Sequence, residues 1–123
     1  MKRTLKIITV ISLLIAVQIG CSNKPFYNTQ DKVVEEAYKS LDYEMKSGDL
    51  KEWADERGMK GNYTFKLTIG GKKGEVISVN TLERSSDGEV MQQNALKNYV
   101  KLMRFQFKMP KDKSYQFPYE FKF

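Results

Sequence analysis

Tyr63-Thr64-Phe65-Lys66-Leu67-Thr68-Ile69, then Gly70-Gly71-Lys72-Lys73-Gly74, then Glu75-Val76-Ile77-Ser78-Val79-Asn80-Thr81-Leu82 is the stretch on which the fold turns. Apolar and polar residues alternate in the first part, the period of a strand buried on one face. The glycine-rich centre lacks the strand-loop-helix setting of a phosphate loop and reads as a hairpin turn. In the return strand Ile77, Val79 and Thr81 share a face while Val76 and Leu82 fall on the other. That conflict predicts a bulge or burial on both sides.

Downstream, Glu83 to Gly88 is a polar turn, with Ser86 or Asp87 placed to cap a helix over about residues 89–102. Its spacing turns Met91, Ala95/Leu96, Tyr99/Val100 and Met103 inward and Gln92, Gln93, Lys97 and Lys101 outward. Phe105, Phe107 and Met109 then alternate with Arg104, Gln106 and Lys108. A turn at Pro110 to Ser114 leads to a last strand with Tyr115, Phe117, Tyr119, Phe121 and Phe123 at every second position. Pro118 lacks a backbone donor, so this strand belongs at a sheet edge or turns that residue away from its neighbour.

Upstream, Val34, Ala37/Tyr38, Leu41 and Met45 fall on one helical face over about residues 31–46, with Asn28 or Asp31 as N-cap and Gly48 as the stop. Asp49 caps a shorter turn in which Leu50 and Trp53 share a face, ended by Gly58, and Trp53 reads as a core residue. The expected fold is therefore α+β: a small antiparallel sheet of about four strands in the order β-β-α-β-β, with helices on one face, preceded by an N-terminal helix. Thr64, Lys66, Arg104, Gln106, Glu120 and Lys122 should stay wet, and Phe105, Phe107, Phe117 and Phe121 should pack with Leu67, Ile69, Leu96 and Val100.

The chain begins differently. Met1, Lys2, Arg3 and Lys6 make a basic start, and the apolar run Ile7 to Ile19 spans 13 residues, short of the roughly 20 that cross a bilayer. This is the layout of a secretory signal. The segment Val17-Gln18-Ile19-Gly20-Cys21 resembles a bacterial lipoprotein box, although Gln18 stands where leucine is usual. The resemblance implies transfer of diacylglycerol to the Cys21 thiol, cleavage before it, and acylation of the new amino terminus. Ser22 in second place implies, by the same likeness, the outer membrane facing the periplasm.

On this reading residues 1–20 are a signal peptide, 21–30 a lipidated tether and 31–123 one globular domain, with 31–58 its helical part. Loss of residues 1–20 removes Lys2, Arg3 and Lys6 and no acid, so the net charge falls from +6 to +3, 18 bases against 15 acids. Export and scattered lysines argue against a nucleic-acid partner. Zero His and one Cys among 123 residues leave no material for a histidine-based metal site, a Cys/His or Ser/His nucleophile or an internal disulfide. Glu35-Glu36 and Asp55-Glu56 are neighbours that face different directions, not an acid/base pair. The chain reads as a non-enzyme without a cofactor.

About residues 63–123 resemble the C-terminal domain of the TonB family. The likeness lies in Phe65-Lys66-Leu67-Thr68-Ile69, Gly74-Glu75-Val76 leading into Ser78-Val79, and the loop Ser85-Ser86-Asp87-Gly88. It continues in Ala95-Leu96, Arg104-Phe105-Gln106-Phe107 and the closing Phe117-Pro118-Tyr119-Glu120-Phe121. The family's Tyr-Pro element before the first strand, its Pro-rich spacer and its uncleaved membrane helix are missing, so an energy transducer is not implied. What the resemblance implies is the fold and the pairing of an exposed strand edge with an extended segment of another protein. The expected docking edge runs from Arg104 to Met109 or along its partner strand, with Arg104, Gln106 and Lys108 presented to an acidic segment. The competing expectation is an apolar or lipidic ligand held between the aromatic face of the last strands and the first helix.

Overall fold

The computed structural model describes residues 24–71 and 73–123; the expected signal peptide, residues 1–20, and the expected lipidation site Cys21 lie outside the described residues. The described residues form an α+β fold, a three-stranded antiparallel sheet with three helices. Helix α1 runs Gln30–Lys46, α2 Asp49–Arg57 and α3 Val90–Lys101. Strands β1 (Asn62–Gly70), β2 (Glu75–Arg84) and β3 (Ser114–Lys122) lie in the order β2-β1-β3. The β1–β2 hairpin turns through Gly71 and Gly74, whose φ values of 76° and 62° suit a residue without Cβ.

Every second residue of β1, from Tyr63 to Ile69, is fully buried, and each sits level with an aromatic of β3: Tyr63 with Phe121, Phe65 with Tyr119, Leu67 with Phe117, Ile69 with Tyr115. Helices cover this face. α1 contributes Val33, Ala37 and Leu41, spaced four apart so that they stack along one side, and α3 contributes Leu96 and Val100. Phe105, Phe107, Phe117 and Phe121 are all buried in the same cluster as Leu67, Ile69, Leu96 and Val100. Trp53 is half-buried, its ring 4.8 Å from that of Tyr99 and the Arg57 guanidinium 4.7 Å above it. On the opposite sheet face Thr64 and Lys66 are half-buried, while Glu120 and Lys122, like Arg104 and Gln106 beyond the sheet, are exposed.

The expected conflict in β2 resolves as two bulges. Register shifts between Thr68 and Ile69 and between Thr64 and Phe65 leave Ile77 and Leu82 as the extra residues. Val76, Val79 and Thr81 thereby share the core side with Ile69, Leu67 and Phe65, and Ile77 (59% exposed) leaves the face assigned to it. Gly70 makes the first bulge tolerable, since a Cβ there would lie 2.5 Å from Ile77 Cδ1.

Residues 104–109 correct the four-strand expectation. Phe105, Phe107 and Met109 are buried in alternation as foreseen, yet among the described residues no strand runs beside them. Arg104 forms a single bridge to Glu75, Phe105 N–H donates to Gly74 O at 3.4 Å, and Lys108 bridges Phe26. Two different neighbours, the hairpin end and the incoming chain, satisfy this backbone in turn, which leaves no continuous ladder. The expected tether is likewise partly domain: Lys108 N–H donates to Pro25 O at 2.7 Å, and Tyr27 N–H donates to Lys108 O at 2.9 Å.

The helix caps differ from expectation too. Thr29 caps α1, its Oγ1 accepting from Lys32 N–H at 3.4 Å, instead of Asn28 or Asp31. Gly48, not Asp49, is the N-cap of α2; Asp49 is its first helical residue, and because Gly48 has no side chain the Glu44 carboxylate of α1 accepts from Leu50 N–H at 3.1 Å in its place. Gly58 closes α2 in the left-handed conformation, as the glycine signal implied. α3 starts after Glu89, whose N–H donates to Tyr63 Oη at 3.1 Å. Ser86 and Asp87 do not cap it; Asp87 instead accepts from Ser85 Oγ, which in turn accepts from Asn62 N–H.

Thr68 Oγ1 and Thr81 Oγ1 are buried with no hydrogen-bond partner among the described residues. Such a group costs about 1–3 kcal/mol, and Thr68 sits in the central strand where a β-branched apolar residue fits. Thr68→Val is therefore expected to raise stability by about 1 kcal/mol, read as a higher urea midpoint at unchanged slope; a lower midpoint would contradict the assignment.

Candidate docking edges and basic cleft

A three-stranded open sheet has two edges, and local chemistry treats them differently. Phe123 N–H donates to Gly61 O at 3.0 Å, so the odd-numbered residues of β3 point their backbone groups at β1. The even-numbered residues, Pro118 among them, point outward. The missing donor of Pro118 thus falls on the free edge, as the sequence required. Its carbonyl accepts from Tyr38 Oη at 2.5 Å, and Tyr119 Oη donates to Asp42 Oδ1 at 2.7 Å. These two bonds fasten α1 along β3, and the Tyr38 ring lies 5.3 Å from Phe117 and 5.8 Å from Tyr119.

Burial and, secondarily, the bond to Asp42 push the Tyr119 phenol well above the ordinary tyrosine range. A group whose folded pKa is raised contributes stability that is complete below its unfolded value of about 10 and is lost as pH rises through the folded value. Stability should therefore fall as pH climbs above about 10, and Tyr119→Phe should flatten that fall. Chemical denaturation of both proteins at neutral and alkaline pH checks this; parallel decline would contradict it.

The outer edge of β2 is different. Asn62 O accepts from Ser85 N–H at 2.9 Å, so the even-numbered residues of β1 face β2. Ser78 and Asn80, level with Thr68 and Lys66, take those bonds, and the backbone groups of Val79 and Thr81 point outward. Among the described residues no strand pairs with this edge beyond the Glu75–Arg104 bridge. Ile77 and Leu82, both more than half exposed, flank it.

Arg104, Gln106 and Lys108 are not presented along one edge. Arg104 sits between two depressions. A cavity of about 370 Å³ against α1 is lined by Lys39, Tyr43, Glu44, Arg104 and Gln106 among others. A second, of about 380 Å³, is lined by Lys24, Lys73, Glu75, Arg104 and Lys108. Arg104 Nη1 pairs with Glu75 Oε1 at 3.0 Å, an exposed pair worth at most about 1 kcal/mol. The backbone of Lys108 is already engaged on both its N–H and its C=O, so residues 104–109 offer side chains but no free edge.

Two features escaped the sequence reading. Lys24 joins Lys108 because residues 25–27 dock beside it, and Lys73 joins Arg104 because the hairpin end bridges residues 104–105. Gln92, expected outward, takes the inward position four residues before Leu96: its Oε1 accepts from Lys60 N–H at 3.1 Å and its Nε2 donates to Gly58 O at 3.3 Å. Met91 is correspondingly exposed. Among the described residues no group of His, Cys, Asp and Glu could hold a metal ion, and no helix is long and apolar enough to cross a membrane. Comparison with protein-family models, with curated proteins and with solved structures found no match to this chain.

Proposed function

We propose that this chain is a cell-envelope lipoprotein, anchored by lipid on Cys21 at the outer membrane facing the periplasm, that docks an extended segment of a partner protein without catalysing a reaction. Docking occurs by strand addition to the outer edge of β2, where main-chain hydrogen bonds supply affinity and alternate side chains supply choice. The observation that carries this is the asymmetry of the two edges: β3 is stopped at its centre by Pro118 and Tyr38, while β2 keeps an open row at Val79 and Thr81 between exposed Ile77 and Leu82. The resemblance of residues 63–123 to a strand-pairing domain points the same way. An apolar ligand between α1 and the last strand is disfavoured because Tyr38, Phe117 and Tyr119 fill that space ring against ring.

Thr81→Pro tests the edge, because it removes an outward N–H and leaves the bonds of β2 to β1 in place. With photo-crosslinkers at Leu82 in living cells, the variant is expected to keep its fold and lose the crosslinked partner seen with the unmodified edge. Undiminished crosslinking to the same protein in a folded Thr81→Pro variant would sink the proposal.

A further inference from the structure

We infer that the cleft formed by Lys24, Lys73, Arg104 and Lys108, with the exposed ring of Phe26 beside it, is a surface that seats the domain on an anionic phospholipid bilayer; this rests on the lipid anchor at Cys21 proposed above. Three observations converge on it. The cleft holds four cations and one acid, Glu75, which is already paired with Arg104. Among the described residues Lys24, Lys73 and Lys108 make no ion pair.

Phe26 is 58% exposed, although its neighbour Tyr27 packs on Phe107 with ring centroids 5.6 Å apart. The bridge of Phe26 to Lys108 therefore holds an aromatic ring outward at the rim of a basic cleft. An amphipathic interface of this kind suits the headgroup level of a bilayer, with the ring toward the acyl boundary and the cations toward phosphate.

The chain itself supplies the third argument. Only Ser22 and Asn23 lie between Cys21 and Lys24, three backbone steps with a reach of at most about 11 Å. A bilayer holding the acyl chains of Cys21 must then lie within that distance of the cleft. Charge sets the orientation further: residues 31–57 carry nine acids and five bases, whereas the rest of residues 22–123 carry six acids and thirteen bases. An anionic surface repels the helical part and attracts the cleft, each cation near it contributing about fivefold in partitioning.

Seating the cleft on the membrane leaves the far end of β2 turned away from it. Arg84, whose Nη1 donates to Gln93 Oε1 at 3.2 Å, marks that end; with Glu75 level with Gly70 and Arg84 level with Tyr63, the two ends are about 24 Å apart.

The test uses the acylated chain, in which the Cys21 thiol is consumed, so that an introduced cysteine is the one free thiol. Asn28→Cys, on the Phe26 side of the chain start, and Met91→Cys, on the first turn of α3, are each labelled with a nitrobenzoxadiazole probe. The labelled proteins are placed in vesicles of phosphatidylcholine alone or of equimolar phosphatidylcholine and phosphatidylglycerol. The expected result is blue-shifted emission and slower reduction by dithionite for the Asn28→Cys label on phosphatidylglycerol vesicles only. High salt, or Lys73→Glu with Lys108→Glu, should reverse it, while the Met91→Cys label stays aqueous throughout.

An acylated chain whose Asn28→Cys label remains aqueous, or responds equally on both vesicles, overturns this inference alone. Loss of partner crosslinking in Lys73→Glu with Lys108→Glu, with the label unmoved, also overturns it and assigns the cleft to a protein. An unacylated Cys21, seen in the intact mass of the mature chain, overturns the lipoprotein reading and this inference with it.

Discussion

Replacing Phe107 with alanine is expected to remove about 3 to 5 kcal/mol of stability. Its ring is 2% exposed, stacks on Phe105 at 5.4 Å and meets Tyr27 at 5.6 Å. The backbone of Gly74 closes a further side: a Cβ built there would lie 3.2 Å from the Phe107 ring. Neighbours held by the hairpin end and by the docked residues 25–27 cannot collapse into the vacated space, so the cavity persists and its cost adds to the lost transfer energy. Domains of this size are stable by only about 5–15 kcal/mol, and each kcal/mol moves the midpoint by roughly 4–8 °C. Thermal denaturation followed by circular dichroism should show a fall of more than about 10 °C. A fall of only a degree or two would mean that residues 104–109 do not belong to the core.

The second large effect concerns location. On the proposed lipoprotein reading, Cys21→Ser abolishes attachment of diacylglycerol, and each methylene of an acyl chain contributes about 0.8 kcal/mol to membrane residence. The mature chain should then pass from the membrane to the soluble fraction, or accumulate as an uncleaved precursor held by its apolar leader. Metabolic labelling with a radioactive fatty acid distinguishes these from an unlipidated protein: wild type should incorporate label and Cys21→Ser should not. Equal labelling of both would contradict lipid attachment at Cys21.

Much of the fold was legible because β1 and β3 each bury one face, so period two survives in the sequence from Tyr63 to Ile69 and from Tyr115 to Phe123. The same rule misled in β2, where Ile77, Val79 and Thr81 alternate cleanly but Ile77 belongs to the other face. The signal that could have found the bulge was Gly70, whose missing side chain leaves room for Ile77. Residues 104–109 show that alternating burial and strand pairing are separate properties. Phe105, Phe107 and Met109 face the core, yet whether a ladder forms depends on what lies alongside, which is a property of the whole topology.

For the candidate site, Pro118 announced an edge strand from its chemistry alone. The bond from Tyr38 that closes that edge spans 80 positions of sequence and leaves no local trace. The basic cleft was invisible for a similar reason, since Lys24 meets Lys108 only through the bonds of Pro25 and Tyr27, and Lys73 meets Arg104 only through the hairpin end at Gly74 and Glu75.

The most direct measurement on the central claim is backbone amide exchange of the folded protein with and without the partner captured through Leu82. Strand addition on β2 predicts that the outward amides of Val79 and Thr81 become strongly protected in the complex, while those of Gln116 and Glu120 on β3 keep their rates. Protection of the β3 amides instead, or unchanged exchange at Val79 and Thr81 in a saturated complex, would contradict docking at the β2 edge.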